Sequence, residues 1–413
     1  MSVTVGIVAD LAAGNFGGVS RFAEGLLQSL LAQPGDGLRY VLFLADDRRT
    51  WPDSQREDVR AVPVGPHGLP HGWRQWVERL DRYGAVALCA ARGDLQAARI
   101  ARLWRARQRR LARALACSPW KLDVLHFPFQ DVVPTRTRFI YSPWDLQHIH
   151  LGDMWPAPAA RARDALFRRG CRRASCVVLA SEWSREDVIR QYGVPREKTA
   201  LIPVAAPTRL TRQVDPEFCS SVRAKYQLPR RFAYCPGATW KHKNHIRVVS
   251  ALAKVSATAP ELELHLVCSG LHGRNLDEIL DHAGRLGVRG RVRFLGRVEP
   301  AEVRALYRLA EFCVYASLFD GAGLPVLEAF EEGCPLAASN ATSIPEYAGD
   351  AAVLFDPWSV DSIAGALLSL AKSESLRREL AARGRERARS FSWEQVATDY
   401  NDLYRRVANA GGS

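Results

Sequence analysis

Several features are missing from this chain, and each absence excludes something. No apolar run approaches the ~18–20 residues that cross a bilayer. The opening MSVTVGIVADLAAG has no basic leader and reads as a strand, so no signal peptide is expected. Cysteine is odd in number, at nine, and no two cysteines have the two-residue spacing of zinc or redox motifs. Most of them, among them Cys176, Cys235, Cys268 and Cys313, sit in apolar runs, which points to reduced, buried thiols in a cytoplasmic protein. His148 and His150 are two apart rather than the i, i+4 of a helical metal pair, so no metal is expected there. The glycines at Gly17 and Gly18 do not complete a dinucleotide fingerprint, which argues against an NAD enzyme.

What is present is ordinary in bulk. The 413 residues suffice for two domains, with 47% hydrophobic and 24% charged residues, as in a soluble globular protein. The formal charge of +13 admits nucleic acid, a membrane surface or an anionic substrate. Nucleic acid is disfavoured because the aromatics do not interleave with the basic residues as a stacking platform requires. From Trp73 to Cys117 the chain reads as helix. Within it, Arg99–Arg113 carries seven Arg, with apolar residues at 100, 103, 104, 111 and 115 on one face. That pattern suits an anionic membrane surface. The plainer reading is a packed helix with a solvated Arg face.

Strands and helices alternate through both halves. In the first, Val3 to Val8, Tyr40 to Ala45, Asp123 to Phe127, Phe139 to Ser142 and Ser175 to Ala180 read as strands. Ser20 or Asn15 is a candidate cap for a helix over 21–31. The pattern weakens between Ala205 and Arg231, with Pro207, Pro216 and Pro229, and resumes at Phe232. Two such halves predict an α/β protein of two doubly wound domains with a cleft between them. The most informative stretch is Asp320 to Pro335, DGAGLPVLEAFEEGCP, after the apolar run Phe312 to Leu318. It reads as strand, glycine loop and helix, with Pro325 near the helix start and Gly333 past its end. Such a turn aims backbone N–H groups and a helix dipole at one point, which suits a phosphate. Asp320 and Glu328 flank it, and a phosphorylated, hydroxyl-rich ligand such as a nucleotide sugar fits that chemistry.

With these residues in place, the chain resembles the retaining glycosyltransferases of GT-B fold, of the "group 1" type (family 4). The family's Glu, seven residues and second Glu appear here as Asp320, GAGLPVL and Glu328. GGVSRF, SEWSREDVIRQYGVPREK, KHKNH, RVRFLGRV, TSIPEYAGDAAVLFDP and FSWEQVATDY follow the family's order over nearly the whole chain. The resemblance implies two Rossmann-like domains: an acceptor-binding one over 1–205 and a nucleotide-sugar-binding one over 228–391. A C-terminal helix over 392–413 would cross back to the first. It also implies roles. Glu328 would take the ribose hydroxyls and Asp320 the donor-sugar hydroxyls. The amides of Gly323 and Leu324 would touch the diphosphate or sugar, and Lys243 would meet the diphosphate charge. Lys241, Thr342 and Ser343 are further donor-side candidates, and Gly17 and Gly18 would let the first domain's loop close. No metal or other cofactor is implied, since the nucleotide sugar is a substrate.

Three positions depart from the family. Asp320 is one methylene shorter than Glu. Ala238 stands where many members carry Arg, a charge that Lys241 could replace. Trp144 stands where a His contacts the donor sugar, followed by Asp145. Either the sugar is held by stacking and by Asp145, or His148 or His150 serves, or the protein is inactive. PGATWKHKNH and DLQHIH lean toward members that transfer mannose-like sugars. The expectation is therefore a retaining, metal-independent hexosyltransferase that builds a cell-envelope polysaccharide. Its partners would be a nucleotide sugar, a glycan or glycolipid acceptor and an anionic membrane surface met through Arg99–Arg113. The location expected is the cytoplasm, peripheral at the inner membrane face. The alternatives are a nucleotide-sugar epimerase of the same fold and a catalytically inactive nucleotide-sugar-binding scaffold.

Overall fold

The computed structural model describes residues 2–9, 18–33, 35–44, 57–63, 108–109, 111–116, 118–211, 213–273 and 275–410. Gly17, Asn15 and most of the helix expected over 73–117 lie outside these residues, including all of the arginine run except Arg109 and Arg113. The chain divides into two compact units, one of residues 1–203 with 393–413 and one of residues 204–392.

The first unit is built on strands β1 (Val3–Ala9), β2 (Leu38–Leu44), β3 (Val59–Pro63), β4 (Val124–Phe127), β5 (Phe139–Tyr141), β6 (Cys176–Leu179) and β7 (Thr199–Leu201). They form one parallel sheet in the order β3-β2-β1-β4-β5-β6-β7. Its strands are short and nearly continuous in apolar residues, as expected where helices cover both faces. The first helix is Gly18–Ala32, three residues earlier than the apolar period suggested. Ser20 therefore lies inside it and buried, which removes it as the cap.

The helix Trp393–Asn409 belongs to this unit. Its aromatic face explains why: Trp393 and Tyr400 lie 5.6 and 6.4 Å from the Phe22 ring, and Tyr400 stacks on His126 at 5.0 Å. The Tyr40 hydroxyl donates to Asn401 Oδ1 at 2.5 Å.

In the second unit, β8 (Phe232–Pro236), β9 (His265–Ser269), β10 (Val292–Phe294), β11 (Phe312–Tyr315), β12 (Leu336–Ser339) and β13 (Val353–Phe355) form a second parallel sheet. Its order is β10-β9-β8-β11-β12-β13. Both sheets are doubly wound, as the alternation predicted. Apolar residues of helix His245–Thr258, namely Val248, Val249 and Leu252, join strand residues Phe312 and Val314 in the core. The stretch read as a weak linker is not bare: helix Pro216–Lys225 lies in it, capped by Asp215, which accepts from Phe218 N. Its Pro at the first turn is a helix-start signal that the run of prolines obscured.

In an open α/β sheet, ligands bind beyond the carboxyl ends of the strands where the winding reverses. In the second sheet that point lies between β8 and β11. The turn holding Lys243 follows β8, and the loop holding Asp320 follows β11.

Candidate active site

The β8 turn rises through Gly237, at φ 130°, into the 3₁₀ turn Lys241–Lys243 and the left-handed Asn244. Close packing demands glycine at Gly270, which follows β9: a Cβ there would sit 2.4 Å from the Gly237 carbonyl. The two loops thus meet backbone to backbone at this point, and the Gly273 amide also donates to Thr239 Oγ1 at 2.6 Å. This turn delivers the Lys243 side chain to the end of β11. Lys243 Nζ donates to Asp320 Oδ2 at 2.9 Å and to the Tyr315 hydroxyl at 2.8 Å, and lies 5.1 Å from the centre of that ring.

Asp320 is enclosed by donors. Its Oδ1 accepts from the Ala322 and Gly323 amides at 3.2 and 3.1 Å, an Asx-type clasp that shapes the glycine loop. Its Oδ2 accepts from Lys243 and from the Tyr315 hydroxyl. Four donors match the roughly four lone-pair sites of a carboxylate. Burial by itself would raise this carboxyl, but the Lys243 charge, the Tyr315 hydroxyl and the loop amide outweigh it and hold the carboxyl at about 2.

The Thr342 and Ser343 hydroxyls, expected near phosphate, both donate to the Asp320 carbonyl, at 2.9 and 2.8 Å, and Thr342 Oγ1 also accepts from the Asp320 amide. Their hydroxyl protons hold the loop that carries Asp320. The Gly323 amide is likewise taken, by Asp320. Leu324 opens the helix Leu324–Glu331, where the first N–H groups have no partner within the helix. Gly323 sits at φ 53° with the Tyr347 ring 3.2 Å from where a Cβ would stand.

Glu328, one turn into that helix, is buried, and its Oε2 accepts from the Tyr307 hydroxyl at 3.1 Å. Tyr307 packs edge-on against Tyr234 at 4.9 Å. Burial first, and the Glu328 charge second, hold Tyr307 protonated far above the ordinary phenol range. Lys241 stays exposed on its turn, outside the Lys243–Asp320 pair.

The structure therefore brings Lys243, Asp320, Gly323, Thr342 and Ser343 together, with Leu324 and Glu328 on the adjoining helix. Tyr315 and Tyr307 were not singled out from the sequence, where both look like core aromatics. A buried tyrosine hydroxyl needs a partner, and a tyrosine at the end of a buried strand, five residues before an aspartate, was the available signal.

The candidates of the first unit are placed differently. Trp144 has φ 71°, a strained value for a bulky residue. It is 6% exposed, gives its indole N–H to the Pro128 carbonyl at 2.8 Å and packs edge-on to Phe22 at 4.8 Å. This corrects the expectation that Trp144 could stack on a sugar: it is a core residue. Asp145 Oδ1 accepts from Gln147 N at 3.1 Å, two residues on and at the start of the short helix Gln147–His150, and pairs with Arg163 at 3.3 Å. His150 Nε2 lies 2.9 Å from both oxygens of the buried Asp187. His148 is buried, and burial, then Arg163 and His150, lower it to about 3. His126, also a core residue, is lowered to about 3 by burial, with Nδ1 2.8 Å from the Tyr404 hydroxyl. Gly18 is exposed at the start of its helix. Of the basic run, Arg109 and Arg113 are exposed beside the buried Leu111.

Comparison with known proteins adds the following. The model of the family described as "Glycosyl transferases group 1" matches residues 223–387, which include both site loops. The chain is 30% identical over 294 residues to the O-antigen chain mannosyltransferase B of Escherichia coli, covering 71% of this chain and 77% of that one. It is 28% identical over 227 residues to the serotype-specific mannosyltransferase WbdA of Escherichia coli, spanning 54% of this chain and 28% of that protein. Among solved structures, the sucrose-phosphate synthase of Thermosynechococcus elongatus matches with a TM-score of 0.71 at 18% identity, over 99% of this chain and 100% of that one, a likeness of fold.

Proposed function

The chain belongs to the group 1 glycosyl transferases, with their GT-B pair of Rossmann-like sheets, and we propose that it moves a mannose-like sugar, with retention, from a nucleotide-diphosphate sugar to a glycan or glycolipid of the cell envelope. The observation that carries this reading is the Lys243–Asp320–Tyr315 cluster at the switch point of the second sheet, with Glu328 one helical turn beyond. The mannosyltransferase names of the relatives support the sugar class.

In this reading Glu328 takes the ribose hydroxyls, while Tyr307 keeps its carboxylate oriented. Lys243 meets the charge that grows on the diphosphate as the glycosidic bond breaks, which is the largest single lever available to a site without a nucleophile. Asp320 acts through others. With its acceptor sites filled, it aims Lys243 and shapes the loop, and the Leu324 amide is left facing the anion. Lys243 and the N–H groups at the start of helix Leu324–Glu331 are the positive ends offered to the leaving diphosphate, and this reading includes no metal. The leaving phosphate accepts the acceptor's proton, so no protein base is assigned. Membrane contact through Arg99–Arg113 stays part of the proposal and is a separate property from transfer.

The test is incubation of the protein with a panel of nucleotide sugars and envelope-glycan acceptors. Release of nucleoside diphosphate and the anomeric configuration of the product are followed by NMR. The expected result is an α-linked product from an α-linked donor, and no turnover by Glu328→Ala. Donor binding with no transfer across the panel, or full activity in Glu328→Ala, would contradict the assignment.

A further inference from the structure

Beneath the Lys243 turn lies a second cluster that the transfer reaction does not use. Cys235 and Cys268 are direct partners in the β8–β9 register, and His245 begins the helix His245–Thr258. The two sulfurs and a ring nitrogen of His245 all lie within 4.8 Å of one another. All three residues are at most 2% exposed. Neither ring nitrogen of His245 has a hydrogen-bond partner. A fully buried imidazole with both nitrogens unsatisfied is costly and rare in a native interior, and it faces two thiols.

We propose that Cys235, His245 and Cys268 bind a zinc ion that ties the ends of β8 and β9 to the start of the helix carrying His245.

Three arguments favour zinc. The ligand set is that of a borderline-soft ion: two thiolates and one imidazole supply three of the four ligands that a tetrahedral zinc takes, and a bound water completes the fourth. The charge also fits. Binding displaces two thiol protons, and a divalent ion with two thiolates and a neutral imidazole is electroneutral, as a dry interior requires. A monovalent ion in the same place would leave a buried negative charge. Finally, the geometry is near. Zinc–sulfur and zinc–nitrogen bonds of about 2.3 and 2.0–2.1 Å bring the ligand atoms to roughly 3.5–3.8 Å from each other. The present spacing, within 4.8 Å, is about 1 Å wider than that. A Cys235–Cys268 disulfide would join the same strands but leave His245 as unsatisfied as before.

The consequence concerns Lys243. Residues 236–244, which include it, run between Cys235 and His245. The metal therefore pins both ends of that loop, and Cys268 pins the neighbouring loop whose Gly270 meets the Gly237 backbone. The ion is a structural clasp under the site, not a participant in transfer, and its presence does not depend on the sugar reading.

The test is elemental analysis of the full-length protein, expressed in zinc-supplemented medium and purified without chelator. About one zinc per chain is expected. Cys235→Ala, Cys268→Ala and His245→Ala should each lose it, while Cys219→Ala, in helix Pro216–Lys225 and outside the cluster, should keep it. Protein produced in cobalt medium should show the visible absorption of tetrahedral, thiolate-bound cobalt, absent in Cys235→Ala. Should the alanine variants fail to fold, the wild type alone decides: unfolding in chelator should release the zinc, and refolding with zinc should give a higher Tm than refolding without it. Wild-type protein purified with neither zinc nor cobalt, zinc retained in Cys235→Ala, or a Cys235–Cys268 disulfide in peptide maps of unreduced protein would each overturn the proposal.

Discussion

At the strand ends of the first sheet, polar residues are paired with partners that hold helices in place. Asp145 accepts from the Gln147 amide and meets Arg163, His150 faces the buried Asp187, and Trp144 gives its N–H to Pro128. At the strand ends of the second sheet, the pairing converges instead on one carboxylate. Lys243, the Tyr315 hydroxyl and the loop amides donate to Asp320, and the hydroxyls of Thr342 and Ser343 fix the backbone that carries it. Two sheets of the same winding therefore use their strand ends differently: one spends its polar groups on packing, and the other holds a lysine in place through a single aspartate.

That difference can be broken experimentally. After loss of Glu328 or of Lys243 itself, the largest effect is expected from Asp320→Asn, which keeps the shape and removes the charge that aims Lys243. Turnover should fall by roughly 10–100-fold, as for a lost positioning group, in initial-rate assays of diphosphate release. The same variant has a pH signature. The wild-type carboxyl is depressed from 3.8 to about 2. It thus adds stability, of roughly 2 kcal/mol, that is full above pH ~4 and is lost as pH falls toward ~2. Urea unfolding across that window should show a flatter acid limb in Asp320→Asn than in the wild type. Parallel limbs would mean that Lys243 and Asp320 are not coupled.

The smallest effect on activity is expected in the first unit. Asp187→Asn weakens the contact with His150 and should cost about 1.5–3 kcal/mol of stability, the range for a hydrogen bond to a charged group. At saturating donor its turnover should stay within about twofold of wild type. A large loss of turnover with unchanged stability would give the His150–Asp187 pair a chemical role and erase the contrast between the sheets.

The fold was largely legible in the sequence because apolar runs and glycine-marked turns recur through both halves, and the strands of two parallel sheets are apolar throughout. Boundaries were less so. The helix at Pro216–Lys225 was hidden by flanking prolines, and β9 starts only at His265 because a 3₁₀ turn and a left-handed Glu263 come first. The glycine loop was legible as a local pattern, and Lys243 came only with the family resemblance. The clasp around Asp320 was not visible, because its donors come from three separate segments. The Cys235–His245–Cys268 group was missed for the same reason. Spacing rules look for ligands close in sequence, whereas strand register brings these thiols together from residues 235 and 268. Trp144 looked like a replacement at a sugar-binding position, and only its burial shows it to be part of the core.

The central claim is that Lys243 meets the charge of the departing diphosphate. The most direct measurement is kcat for diphosphate release by Lys243→Met, at saturating nucleotide sugar, beside donor affinity measured by calorimetry. A fall in kcat of about 100-fold or more, with a far smaller change in affinity, is the predicted result. Turnover at the wild-type rate would contradict the account.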